Sequence, residues 1–122
     1  MRKPTKLGAR LRVAIEPGIA VGPGKADLLE AIGETGSISA AGRRLKMSYR
    51  RAWLLVDEMN NDFGMPLVHA AKGGSQGGGA SLTQAGDEVL IRYRNMERLC
   101  NDAVGADLKA LRGLIKRNQG KS

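Results

Sequence analysis

The sequence is poor in residues that support redox or metal chemistry. It contains one cysteine, Cys100, and one histidine, His69, among 122 residues. A single cysteine forms no internal disulfide, and no group of histidine, cysteine and carboxylate residues has the spacing of a metal site. These shortages exclude a disulfide-rich secreted scaffold and fit a reducing, cytoplasmic location.

Aromatic residues and long apolar runs are also scarce. With one Trp, one Phe and two Tyr, the core must be built from aliphatic residues and Met. No apolar run approaches the roughly 20 residues of a membrane span, and no apolar signal core follows the basic N-terminus. We therefore expect one globular domain that is not inserted in a membrane.

Positive charge is what the chain has in excess. Its 20 basic residues outnumber 12 acidic residues, which gives a net charge of +8 and a pI of about 10.2. Such a balance favours a polyanionic partner, such as nucleic acid. Between Thr35 and Val56 the chain carries five basic residues and no acid, so we expect this stretch to contact the partner.

The basic stretch has the pattern of a helix-turn-helix. Ser37 or Ser39 is suited to cap a short helix that runs to about Leu45, and Ser48 is suited to cap a longer helix that ends before Gly64. The longer helix is expected to enter a DNA major groove with its basic N-terminal end, where arginine can pair with guanine. The predicted DNA-contacting residues of this pair are Ser39, Arg43, Arg44, Lys46, Ser48, Tyr49, Arg50 and Arg51.

The flanking segments predict a winged domain. We expect a strand at 11–15, a helix at 25–33, and a hairpin of strands 67–71 and 80–82 joined by a glycine-rich wing. Within that wing, Lys72, Ser75 and Gln76 are predicted to contact DNA. The fold class is therefore α+β, mainly α, a winged helix-turn-helix with a long C-terminal helix.

The long helix after Thr83 carries an apolar stripe that exceeds what a small domain covers, so we expect it to form a homodimer interface as well as to pack on its own domain. The predicted interface residues are Val89, Tyr93, Met96, Cys100, Val104, Leu108 and Leu111. The chain is thereby divided into a basic flexible tail (1–10), the DNA-binding domain (11–82), the long helix and dimerisation region (83–117) and a second tail (118–122).

No feature of the sequence predicts an enzyme or a cofactor. The glycine-rich wing lacks the residue order of a nucleotide-binding loop, and no nucleophile lies beside a predictable base. Two alternatives to a sequence-specific regulator stay open: an architectural DNA-binding protein with little sequence preference, and a protein-interaction module that reuses the fold.

Four segments together resemble the N-terminal DNA-binding domain of the ModE family of molybdate-responsive regulators, a winged helix-turn-helix related to the LysR type. They are Gly36-Ser37-Ile38-Ser39, the run from Met47 to Trp53, Asp57-Glu58-Met59-Asn60, and the run from Gly73 to Gly86. The resemblance implies a homodimer on a palindromic operator, control of molybdenum-related genes, and DNA contacts from Ser48 to Arg51 and from Lys72 to Gly79.

The same resemblance sets a limit on ligand binding. Members of that family bind molybdate in a C-terminal pair of small β-barrel domains, and no such module follows Arg117-Asn118-Gln119 in this sequence. Molybdate binding is therefore not expected from this chain alone.

Overall fold

The computed structural model describes residues 8–71 and 79–120, with side chains described up to residue 115. In this part of the chain, the elements are β1 (Val13–Ile15), β2 (Ile19–Val21), α1 (Pro23–Thr35), α2 (Ile38–Arg44), α3 (Tyr49–Phe63), β3 (Val68–Ala70), β4 (Ala80–Leu82), α4 (Gln84–Ala103) and α5 (Gly105–Gly120).

The core lies between α1, α2 and α3. Leu28, Leu29 and Ile32 of α1 are fully buried against Ala41 of α2 and Val56 of α3, together with other apolar residues of these helices and of β3. Burial of such aliphatic side chains stabilises the fold by about 1.5–3 kcal/mol each. The expected aliphatic core is therefore confirmed, and it holds the two predicted helices of the DNA-binding pair together.

Short polar side chains begin the helices where the sequence predicts. The Ser48 hydroxyl accepts a hydrogen bond from the Arg51 backbone N–H (3.0 Å), and the Thr83 hydroxyl accepts one from Gly86 (3.0 Å). Of the two candidate caps of α2, Ser37 is the one used, because its hydroxyl accepts from Ala40 (3.0 Å). Caps of this kind contribute about 1 kcal/mol each.

Two antiparallel hairpins flank the helices. The predicted wing hairpin is present and pairs Val68 with Leu82 and Ala70 with Ala80, and its loop at 72–78 lies outside the described residues. The other hairpin was only half predicted, because strand β2, which pairs with β1 through Val13 and Val21, was missed. β2 has three residues, too few for an alternating pattern to stand out.

The predicted single long helix is instead two helices. α4 ends at Ala103, Val104 has a non-helical backbone, and α5 begins at Gly105. A glycine costs about 1 kcal/mol relative to alanine inside a helix, so Gly105 favours a break, although Gly86 and Gly113 lie within unbroken helices. α5 then runs through Gly120, past the predicted boundary at 117.

α4 is fixed to the N-terminal part of the domain by polar contacts. Arg94 forms ion pairs with Asp27 (2.8 Å) and Glu30 (2.7 Å) of α1 and with Glu97 of its own helix (3.0 Å). Burial disfavours the charged guanidinium, but its hydrogen bonds to Asp27, Glu97 and Glu30 outweigh this cost and raise the pKa of Arg94. α4 therefore has a defined position relative to the helix-turn-helix.

The described end of the predicted N-terminal tail is held against α4. The Asn101 side chain accepts a hydrogen bond from the Ala9 backbone N–H (2.9 Å) and donates one to its carbonyl (3.3 Å). This contact holds Ala9 against α4, residues 1–7 lie outside the described part, and the flexible tail at 1–10 stays a prediction. Within residues 8–71 and 79–120, none of the helices combines the length and the apolar character needed to cross a membrane.

Candidate nucleic-acid interface

The turn between α2 and α3 is compact because the two helices approach closely at Gly42. A side chain at Gly42 would lie 3.4 Å from the Cβ atom of Ala52 and 3.4 Å from the Met47 carbonyl oxygen. The Met47 backbone N–H donates to the Gly42 carbonyl (2.9 Å), and Lys46 takes a left-handed backbone conformation with φ of 61°. These contacts set the angle at which α3 leaves the turn.

The N-terminal turn of α3 is presented to solvent. Tyr49 is 60% exposed, and Arg50 and Arg51 are also exposed. The Tyr49 ring stands edge-on to Trp53, with 6.3 Å between ring centroids, which limits its movement. Because a helix N-terminus carries a partial positive charge and free backbone N–H groups, this end of α3 attracts anions.

The basic residues of α2 and the turn lie beside this end. Arg43 is exposed and donates to the Ser39 hydroxyl (2.8 Å), so its guanidinium is held by its own helix. Arg44 forms an ion pair with Glu34 of α1, and Lys46 is exposed in the turn. The predicted residues from Ser39 to Arg51 lie on α2, the turn and the start of α3, with Ser39 half-buried and the others exposed.

Ser48 has two possible roles that do not conflict. Its hydroxyl oxygen already accepts the Arg51 backbone N–H. The hydroxyl proton is still available to a phosphate or a base acceptor. The predicted wing contacts Lys72, Ser75 and Gln76 lie outside the described residues, but the hairpin that carries them is anchored, since the Ala80 backbone N–H donates to the Gly36 carbonyl (2.9 Å).

Charge changes sign along α3. The first turn carries Arg50 and Arg51, whereas the later turns carry Asp57, Glu58 and Asp62, all of them exposed. Lys25 of α1 contacts the last two, at 3.1 Å from Glu58 and 4.0 Å from Asp62. We call this arrangement the charge gradient of α3, and it makes the N-terminal end of the helix the more favourable end for an anion.

The structure buries some residues of the predicted dimer stripe and exposes others. Tyr93 is 1% exposed and belongs to the core of its own chain, with Val21 and Ala26, so it does not line an outer face. Met96 and Leu111 are exposed, at 38% and 55%. The other predicted residues, Val89, Cys100, Val104 and Leu108, are half-buried.

The sequence prediction missed several exposed apolar residues near this stripe. On α4 and α5 these are Ile91, Leu99 and Leu114, each more than half exposed. The sequence signal that could have identified them is that they are large aliphatic residues, although they lie outside the helical spacing of the predicted stripe. Beside Met96, a mainly apolar groove of about 360 Å³ runs between β1, the C-terminal end of α3 and α4, and its exposed members include Ile15 and Met65.

Residues 8–71 and 79–120 contain no cluster of His, Cys, Asp or Glu able to hold a metal ion. In the same part of the chain, every buried side-chain nitrogen or oxygen has a hydrogen-bond partner. His69 is exposed on β3, and Cys100 is a half-buried free thiol on α4. The exposed basic face of α2 and α3 is therefore the candidate functional site.

Comparison with known proteins points to the same segment. The model of the family described as "Bacterial regulatory helix-turn-helix protein, lysR family" matches residues 25–87. This match begins in α1, includes α2, α3 and the wing hairpin, and ends in the first turn of α4.

Two curated relatives share names that refer to molybdenum. Molybdenum-pterin-binding protein MopB of Rhodobacter capsulatus is 47% identical over 89 residues, which is 73% of this chain and 33% of the relative. Molybdenum transport protein ModE of Azotobacter vinelandii is 36% identical over 122 residues, 91% of this chain and 45% of the relative. The chain thus spans less than half the length of these relatives, and its resemblance to the ModE family is confirmed.

A solved structure shows the same fold. The crystal structure of full-length CbnR complexed with the target DNA superimposes with a TM-score of 0.56 and 25% identity, covering 73% of this chain and 29% of CbnR. The predicted class, a mainly helical winged helix-turn-helix, is confirmed.

Proposed function

Because the chain belongs to the lysR family of bacterial regulatory helix-turn-helix proteins, we propose that it is a sequence-specific DNA-binding transcription regulator. The observation that carries the proposal is the capped N-terminal end of α3, which presents Tyr49, Arg50 and Arg51 to solvent beside the exposed bases of α2. The names of the relatives favour genes of molybdenum transport as its targets. No catalytic step is part of this function, and its place of action is the cytoplasm.

We assign reading and anchoring to different residues. Arg50 and Arg51 extend from the helix end that enters the major groove, where an arginine fork on guanine O6 and N7 contributes about 1–3 kcal/mol of discrimination. Arg43, Arg44 and Lys46 flank this end and bind phosphates, which position the protein without reading sequence. Lys72, Ser75 and Gln76 of the wing complete the contact in an adjacent groove.

Glu34 competes with a DNA phosphate for the side chain of Arg44. Arg44 is already paired with Glu34, and both side chains are partly exposed. A phosphate must therefore replace or share an existing partner of Arg44, whereas Lys46 has no such competitor among the ion pairs of the described residues. Exposed ion pairs contribute only about 0–1 kcal/mol, so the exchange costs little.

We further propose that two copies bind a palindromic operator. The apolar groove beside Met96 and the exposed apolar residues of α5 are complementary in character, and both are continuous with the exposed part of the predicted stripe. A second copy of the chain offers both the groove and the apolar residues of α5, since each copy in a two-fold dimer presents the same patch. We therefore propose a second copy as the partner that covers these surfaces. Two-fold symmetry of the dimer then requires an operator whose two half-sites form an inverted repeat.

The experiment is selection of bound duplexes from a random pool by the 122-residue chain, with and without molybdate. We expect enrichment of one palindromic motif that molybdate does not alter, since the chain alone is not expected to bind it. Arg50→Ala should weaken binding to that motif about 10- to 100-fold while binding to random duplex changes little. The matched control, Arg98→Ala on α4, removes an exposed arginine that does not line the groove and should leave both affinities unchanged.

Other outcomes point to other functions. Salt-sensitive binding with no enriched motif would indicate an architectural DNA-binding protein. Absence of salt-sensitive DNA binding would indicate a protein-interaction module. Equal losses on the motif and on random duplex in Arg50→Ala would remove the base-reading role from this residue.

A further inference from the structure

Leu54 is an exposed leucine on the same face of α3 as Arg50. Its side chain is 51% exposed, while its neighbours Leu55 and Val56 are buried in the core. Residues four apart lie above one another on a helix, so Leu54 continues the exposed line that begins at Arg50. It has no charge or hydrogen-bonding group, so it is not suited to contact a phosphate.

The chemistry of the major groove restricts what this side chain can face. The edges of the bases present hydrogen-bond donors and acceptors there, and thymine alone adds an apolar group, its C5 methyl. A leucine placed against a donor or acceptor would leave that polar group without a partner, which is unfavourable. A leucine placed against a thymine methyl removes apolar surface of both from water.

We propose that Leu54 is a specificity-determining residue that recognises the C5 methyl group of a thymine in the operator. This inference rests on the proposed function, because it requires α3 to enter the major groove. Leu54 would add an apolar contact to base recognition that otherwise depends on arginine. The operator should then contain a guanine for Arg50 and a thymine for Leu54 in each half-site.

The spacing of the two bases follows from the helix. Four residues of α-helix rise about 6 Å along the axis, and successive bases along a DNA strand are about 3.4 Å apart. The thymine should therefore lie about two base pairs from the guanine that Arg50 contacts.

Exposure alone does not distinguish Leu54, since single exposed aliphatic side chains are common. Ile91 on α4 is more exposed, at 67%, yet it lies on a helix outside the helix-turn-helix. Ile91 therefore serves as the matched control for loss of an exposed aliphatic side chain.

The test replaces each thymine of the selected operator, one at a time, with deoxyuridine, which removes only the methyl group. For the unchanged chain, one thymine per half-site should show about fourfold weaker binding after replacement. Leu54→Ala should bind the thymine operator more weakly by a similar factor and show no further loss with deoxyuridine at that position. Leu54→Met keeps an apolar side chain and should retain the thymine preference, as should Ile91→Ala.

Each contrary result is informative. If the thymine preference persists unchanged in Leu54→Ala, or if no thymine in the operator responds to loss of its methyl, the assignment of Leu54 is wrong while the proposed function stands. If selection enriches no motif at all, the proposed function fails and the inference falls with it. A circular dichroism melt confirms that the variants are folded, since alanine at an exposed helical position favours the helix.

Discussion

Tyr93 shows how a single side chain can connect two distant parts of the chain. It is 1% exposed, and its hydroxyl donates to the backbone carbonyl of Leu11, next to the first hairpin. Burial, with a further contribution from nearby Glu97, raises the pKa of the Tyr93 phenol above its ordinary value of 10.0. The neutral phenol is thus part of the folded state.

Replacement of Tyr93 by Phe should lower stability in a pH-dependent way. Loss of the hydrogen bond to the Leu11 carbonyl should lower the free energy of unfolding by about 1 kcal/mol near neutral pH. Because the pKa is raised on folding, the contribution of the tyrosine is complete below pH 10 and is lost as pH rises further. Urea denaturation of both proteins at several pH values measures the difference, which should shrink above pH 10.

Tyr49 provides the control for this titration. It is the other of the two tyrosines and is 60% exposed, so Tyr49→Phe should leave stability nearly unchanged at every pH. A difference between the unchanged chain and Tyr93→Phe that stayed constant above pH 10 would contradict the link between the phenol proton and folding.

At the scale of elements, helix starts were predictable because they depend on neighbours in sequence. Ser48 lies three residues before the N–H group that it caps, and Thr83 has the same relation to Gly86. Strand β2 was not predictable in the same way, since its three residues become a strand only through pairing with β1. Local sequence signals therefore predict the helix-turn-helix, whereas strand β2 depends on pairing that local signals do not predict.

The dimerisation stripe illustrates a different limit of the sequence. An apolar residue has the same helical spacing whether its neighbour belongs to its own chain or to a second one. Its spacing therefore predicts Tyr93 at the interface, although the structure buries it against Val21. Gly86 is a related case: a side chain there would lie 2.1 Å from the Leu67 carbonyl oxygen, a contact that no spacing rule predicts.

The exposed stripe of α5 leads to a prediction about assembly. Leu111→Asp places a charge among exposed apolar residues, and burial of an unpaired carboxylate in an interface is strongly unfavourable. We expect sedimentation equilibrium to show a shift from dimer toward monomer. Ala106→Asp, an exposed position on the side of α5 away from Leu111, adds the same charge and should remain dimeric, whereas an unchanged mass for Leu111→Asp would argue against this face.

At the scale of the whole molecule, the net charge of +8 predicts a strong dependence of DNA binding on salt. The logarithm of the association constant falls with the logarithm of salt concentration by about 0.9 for each phosphate neutralised. Arg43→Ala should therefore reduce this slope by about 0.9, because it removes one proposed phosphate contact. Fluorescence anisotropy over a salt series measures it.

Arg98→Ala tests whether position or total charge decides the slope. Arg98 is exposed on α4, where it lies 3.8 Å from Asp102, and its loss changes the net charge of the molecule by the same amount. The slope should stay unchanged in this variant. Equal reductions in both variants would show that overall charge, rather than the face formed by α2 and α3, governs binding.

The charge gradient of α3 has a consequence for the encounter that precedes binding. A duplex that approaches the acidic end of the helix is repelled by Asp57, Glu58 and Asp62, whereas the end with Arg50 and Arg51 attracts it. Electrostatic fields of this kind act during diffusion and raise association rates. The gradient therefore favours encounters in which the N-terminal end of α3 faces the DNA, before any base is contacted. It disfavours encounters in which the acidic end of α3 meets the DNA first.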